Sequence, residues 1–544
     1  MRDKHPTNRR KFLLICASVC AFLSLASLET SVKAGTVESR LLRLGIDAAD
    51  LGTGDPHRAA SRNDRAVVDM IFNGLLRYKP GQAPEIEPDL AVAIPHPQAV
   101  GDKQVWRFEL RRDVMCHPGP QTEAYPLTAD DVVFSLRRAA DPKVSAYAGD
   151  YAGMTVTKVD DFTVDLAFDT PLSSILFFPK VADYAGGFIV CRKAAEAQGD
   201  SGFAAHPVGT GPFIFQDHEA GARVRLAANE SYFRGRPQID GVEVQYIPKF
   251  DERDRHVRAG ELDVIFGSEQ PDWFQSIGND DLIQVDVFGV GQVITMHFNT
   301  AMPPLDDPLV RKALAYAVDR EVFRSHFAEG VVENVFSPVP ATFLPGGLTR
   351  QEVARLGLDY AHDPAKARAL LAEAGHADGF ELKLVSSERG HYLANYESLR
   401  DQLATVGIKV DLEVVEHREM HNRIRADENA IVIYVAWRPN ADVFLTRFFH
   451  SDSTVVTGAS PDTNFSHYDA IDKLIESARS AHNPADQVRI WKQAQVKLLA
   501  DAVAYPLHYV NLVYARRKQV DYGHPLRASM SLYPQFTETT RLAD

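Results

Sequence analysis

Two imidazoles stand one helical turn apart in His417-Arg418-Glu419-Met420-His421. A zinc-hydrolase helix spaces its histidine ligands this way and needs a glutamate directly after the first, as general base. Arg418 occupies that place, so the segment reads as a surface helix. Gly289-Val290-Gly291 opens like a dinucleotide-binding loop, but Ile294 stands where the third glycine belongs. Gly209-Thr210-Gly211-Pro212 lacks the Lys-Ser/Thr of a phosphate loop. No Gly-x-Ser-x-Gly elbow is present. The 19 histidines are scattered without metal-ligand spacing, and no cofactor is expected. These readings lower the odds of catalysis and favour a protein that is not an enzyme.

The elements that must position any site start after residue 34. Arg9, Arg10 and Lys11 precede an uncharged apolar run from Phe12 to Leu28, and Val32-Lys33-Ala34 offers small residues to a signal peptidase. That is the plan of a cleaved secretory signal peptide over 1–34 and implies a periplasmic address. A membrane anchor is the alternative, and the run is a little short for one. Asn8-Arg9-Arg10-Lys11-Phe12-Leu13-Leu14 resembles a twin-arginine export signal without its usual Ser/Thr start. Cys16 and Cys20 lie inside the apolar run and do not make a lipoprotein site. The leader holds six basic and two acidic residues, so the net charge of −14 becomes −18 once it is gone. Such an excess of negative charge argues against a nucleic-acid partner. Cys116 and Cys191 then remain. In an oxidising compartment they could pair, closing a loop worth about 4 kcal/mol; otherwise they are two separate buried thiols.

Strand and helix signals alternate along the chain, which indicates an α/β fold. Val105 to Leu110 reads as a strand, and Thr128 as the cap of a helix holding Val132, Val133 and Leu136. Lys158 to Phe168 alternates like a hairpin strand. Asp307-Pro308 and Asp363-Pro364 each place a cap before a proline that opens a helix. Phe380 to Val385, a helix from Tyr396 to Thr405, and Ile408 to Val414 form a strand-helix-strand unit, expected to be parallel.

A series of segments, in order, resembles the extracellular solute-binding family that includes oligopeptide-, dipeptide-, nickel- and opine-binding proteins. Asp55-Pro56 matches its early turn, and Trp106-Arg107-Phe108-Glu109-Leu110 with His117-Pro118-Gly119 its first strand and turn. Pro126-Leu127-Thr128-Ala129-Asp130-Asp131-Val132-Val133-Phe134 is similar to its most recognisable helix start. Pro207-Val208-Gly209-Thr210-Gly211-Pro212-Phe213 and Gly260-Glu261-Leu262-Asp263 continue the match, as do Phe298-Asn299-Thr300 and Val310-Arg311-Lys312-Ala313-Leu314.

The resemblance implies a two-lobed periplasmic binding protein fold of type II, with an extra subdomain and two crossover segments. Lobe one is expected at 36–267 plus 506–544, with an inserted subdomain at about 60–180. Lobe two is expected at 290–500, and the crossovers at 268–289 and 501–505. The implied function is that of a monomeric ABC-importer component, which captures a peptide or peptide-like solute between its lobes. It would hand this ligand to permease and ATPase subunits in the inner membrane. Alternatives are a non-peptide ligand (an opine-like sugar conjugate, an oligosaccharide or a metal chelate) and, from another class, a periplasmic hydrolase or chaperone.

In the family's peptide binders an Asp three residues after a Trp pairs with the ligand's α-amino group. The matching tryptophan is Trp437, and three residues on stands Asn440. An amide does not supply the charge that an ammonium needs in a dry cleft. Asp442 substitutes if the loop shifts by two residues, or else caps a helix near Val443. Arg438 adds a planar fork suited to carboxylate or phosphate, or else faces solvent. Ser268, Glu269 and Gln270 follow the first crossover and are expected at the cleft.

Overall fold

The computed structural model describes residues 40–182 and 185–543. The expected leader at 1–34, with its arginine pair and its two cysteines, lies outside the described residues. Among the described residues no helix is long and apolar enough to cross a membrane.

A nine-stranded sheet organises the molecule. Leu41–Ile46 runs parallel to Gly241–Tyr246 on one side and to Val264–Phe266 on the other. Arg223–Ala228 and Phe213–Glu219 extend the first side in antiparallel fashion. On the second side comes Ala504–Arg517, which pairs antiparallel with Ile283–Phe298; Ile431–Ala436 lies beyond it. These two strands are long, at 14 and 16 residues, and are buried over most of their length. Their near-continuous apolar character suits strands covered on both faces.

Each long strand changes neighbours midway. Ile283 to Phe288 faces Leu512 to Arg517, next to Val264–Phe266. Gln292 to His297 faces Ala504 to Val510, with Ile431–Ala436 on the other side. The register shifts between Phe288 and Gln292. The second strand changes neighbours between Val510 and Leu512. Gly291 explains the glycine at the crossing: a Cβ there would lie 1.7 Å from the carbonyl oxygen of Val510.

A separate four-stranded antiparallel sheet takes Pro97–Val100, Lys103–Glu109, Thr163–Phe168 and Met154–Asp160, in that order. The expected alternating stretch at 158–168 is the turn and second arm of a hairpin within it. Helix Ala129–Ala139 packs against this sheet. Its Asp131 carboxylate accepts from the Thr128 N–H at 3.0 Å, which closes the N-terminus as expected. Helices Pro308–Ala317 and Pro364–Glu373 start on the Asp307 and Asp363 caps. Glu381–Ser387 and Lys409–Val415 are parallel, joined by Gly390–Ala404, a helix that starts six residues earlier than the alternation suggested.

The motif residues of the first half are packing devices. Arg138 clamps the Asp55 carboxylate at 2.9 and 2.5 Å. In the Gly209-Thr210-Gly211-Pro212 turn, the Thr210 hydroxyl donates to Asn73 at 3.0 Å, and Asn229 donates to the Gly211 carbonyl at 3.0 Å. A Cβ at Gly211 would meet the backbone of Ile71 at 2.5 Å. Only glycine lets this turn press against the end of helix Arg62–Ile71. Cys116 and Cys191 are joined in a disulfide across a separation of 75 residues, worth about 4 kcal/mol in loop-closure entropy.

Gly291→Ala forces the two long strands apart at their crossing. We expect a loss of at least about 2 kcal/mol, read from urea denaturation. A variant as stable as the wild type would mean that the close approach to Val510 does not matter.

Candidate functional site

A cavity of about 390 Å³ joins residues from distant parts of the chain. Phe168, Leu172, Leu176 and Phe188 give it an apolar wall. Met530, Ser531 and Tyr533 contribute from near the C-terminus. Trp437, Pro439, Asn440, Asp442 and Val443 enter from the loop after strand Ile431–Ala436 and from the helix that follows it. Its size falls within the usual range for small-molecule sites.

The loop owes its shape to its cap. Helix Ala441–Phe449 begins at Asn440, whose side-chain oxygen accepts from the Val443 N–H at 2.9 Å. Asn440, not Asp442, is therefore the capping residue. Asn440 lines the cavity with its carbonyl oxygen already engaged. Asp442 lies in the first turn of the helix, where the dipole favours a carboxylate. Burial pushes its pKa up, and Arg479 and Lys180 act against that rise. Arg479 Nε lies 3.3 Å from its Oδ2. Oδ1 is buried and has no partner. The indole N–H of Trp437 is also buried and unpartnered.

Five acidic and basic side chains line the cavity: Arg65, Lys180, Arg479, Asp150 and Asp442. Lys180 donates to the Asp150 carbonyl, with its ammonium 3.9 Å from the Asp150 carboxylate. Burial lowers its pKa, opposed by Asp150 and Asp442. Arg479 is shared between Asp442 and the Thr446 hydroxyl, to which it donates at 2.7 Å.

Four of the residues expected at the cleft, Arg438, Ser268, Glu269 and Gln270, do not line this cavity. The guanidinium of Arg438 donates to the Trp437 carbonyl at 2.9 Å and lies 4.9 Å from the centre of the Phe448 ring. Burial lowers its pKa. The Ser268 hydroxyl accepts from the Gln270 N–H at 3.2 Å, and Gln270 is exposed at the start of helix Pro271–Ile277. Both residues serve the local turn. Glu269, between them, is raised to about 7 by burial. His417 and His421 sit on helix His417–Arg425, as expected, with ring centres 4.5 Å apart. His421 is lowered to about 4 by burial. Among the described residues no group of three or more His, Cys, Asp or Glu could hold a metal ion.

Sequence reasoning missed Arg65, Asp150, Lys180 and Arg479. Lys180 left a visible signal, as the lone charge in the otherwise uncharged stretch 171–182. The others occupy ordinary polar sequence, and only the fold brings them together.

A two-lobed binding protein is the class that this architecture defines. The chain belongs to the bacterial extracellular solute-binding proteins, family 5, whose middle-region model matches residues 85–455. It is similar to the MoaA binding protein of A. tumefacien R10, solved in complex with mannopinic acid. The two share 35% identity over 93% of this chain and 100% of that one, with a TM-score of 0.74. The dipeptide-binding protein of Escherichia coli K12 is 28% identical over 83% of this chain and 85% of its own length. Heme-binding protein A of Haemophilus influenzae is 27% identical, covering 83% of each.

Asn440→Ala removes the helix cap and should cost about 1 kcal/mol, whereas Asn440→Asp keeps a capping oxygen and should change stability by less than about 0.5 kcal/mol. Denaturation midpoints of the two variants check this. Equal losses would contradict the capping role.

Proposed function

We propose that this protein captures a small, peptide-like derivative of an amino acid in the inter-lobe cavity and delivers it to an ABC importer. The observation that carries the reading is the set of unpartnered buried polar atoms at an otherwise apolar cavity. Asp442 Oδ1 can accept from an ammonium or a hydroxyl, and the Trp437 N–H can donate. A buried polar atom without a partner is costly, so a solute that supplies the missing bonds favours the closed form. Closure about the crossings at Gly289–Gly291 and Val510–Leu512 would bury the ligand with no bond made or broken. We take those crossings as the limits between lobes.

Family membership and the dipeptide-binding relative support a peptide-like ligand. An opine-type conjugate is the second reading. It is favoured by Asn440, an amide where peptide binders place a carboxylate, and by the 35% identity to a mannopinic acid binder. We further propose that the chain is exported, works as a monomer in the periplasm, partners an inner-membrane permease and its ATPase, and catalyses no reaction. The missing catalytic motifs and the relatives' names support this.

Mass spectrometry of solute released from protein purified without denaturation, followed by calorimetry, tests the reading. We expect one bound amino-acid derivative per chain. Dipeptides that bind while mannopinic acid does not would select the peptide reading, and the reverse result the opine reading. Release of a heme, a nickel complex or an oligosaccharide would overturn both.

A further inference from the structure

Resting on this capture reading, the balance of charge at the cavity says more about the solute. Of its three cations, Lys180 is held by Asp150, and Arg479 by Asp442 and Thr446. Arg65 is different. It sits in the first turn and a half of helix Arg62–Ile71 and lines the cavity. Among the described residues its guanidinium takes part in no ion pair, and its Nε is buried without a hydrogen-bond partner. Arg65 is half-buried. Its neighbours on the helix show how ordinary pairing looks here: Arg62 reaches Asp47 at 3.0 Å, and the Asp64 carboxylate accepts from the Gly52 N–H at 2.7 Å while its own N–H donates to the Ser61 hydroxyl.

The helix that carries Arg65 is also rigidly held. Ser61 caps its N-terminus by accepting from the Asp64 N–H at 3.0 Å. The glycine turn at 209–211 packs against its last residue, and Gly211 N–H donates to the Ile71 carbonyl at 2.8 Å. An unpaired cation on a fixed helix, at the edge of an apolar cavity, is a preorganised anion site.

We propose that Arg65 is the specificity-determining anchor for a free carboxylate on the solute. The planar fork of arginine matches a carboxylate with two parallel hydrogen bonds. The ligand class is then an amino-acid derivative whose acid group is free: its carboxylate meets Arg65, and a donor elsewhere on it meets Asp442. Esters, amides and neutral sugars lack the first half of this pairing and would leave the guanidinium unpaired.

The test equilibrates the full chain with a defined mixture and reads the retained solute by native mass spectrometry. The mixture holds mannopinic acid and a set of dipeptides, each as free acid and as methyl ester. Wild type should retain free acid over ester by about 100-fold, the size of effect seen when one partner of a buried charged pair is removed. Arg65→Gln should lose that preference, and Arg65→Lys should keep part of it, since it keeps the charge but not the fork. Because acid and ester are compared within one variant, a partly misfolded preparation does not imitate the result. The inference is overturned if wild type holds acid and ester alike, or if Arg65→Gln keeps the preference. Retention of no solute by wild type would instead overturn the capture reading, and this inference with it.

Discussion

Two strands of sixteen and fourteen residues, paired with each other along most of their length, run through both halves of the molecule. Their pairing is the constraint on which the rest depends. Each strand belongs to one set of neighbours before its crossing and to another set after it. Two bodies that share their central strands can bend against each other but cannot separate. Where the strands change neighbours, Gly291 lies close against the backbone of Val510. The loop bearing Trp437 and Asn440 leaves the sheet directly from the strand beside this pair.

Two kinds of polar economy then separate structure from site. Many polar side chains already have partners within the fold. Arg138 is spent on Asp55, Asn440 on its helix, and Arg438 on the Trp437 carbonyl and the Phe448 ring. Against that background the unpartnered atoms stand out: Asp442 Oδ1, the Trp437 indole N–H and Arg65 Nε. A folded protein satisfies nearly all its buried polar groups. Among the described residues 22 buried side-chain polar atoms lack a hydrogen-bond partner, and these three are the ones whose residues line the cavity.

The fold was legible in the sequence because its signals are local. A capping Asp before Pro308 or Pro364, and alternation in 381–387 and 409–415, act over a few residues and survive in the structure with small shifts at their ends. The family segments were legible too, since turns such as Gly209-Thr210-Gly211-Pro212 owe their glycines to close backbone contact. The site was only half legible. Trp437, Asn440 and Asp442 do line the cavity, and they sit in one short loop. Arg65 and Lys180 come from segments separated by more than a hundred residues, and nothing local marks Arg65 as unpaired. Whether an arginine has a partner is a property of the fold. Ser268 and Gln270 were placed at the cleft by proximity to a crossover, yet their bonds serve the turn between them.

The account stands most directly on a crystal structure of the full chain, grown after equilibration with the solute that mass spectrometry identifies. The account predicts that solute enclosed at the cavity, in contact with Trp437 and Asp442 and covered from both sides of the crossing strands. Solute bound on an outer surface, with water alone in the cavity, would contradict it.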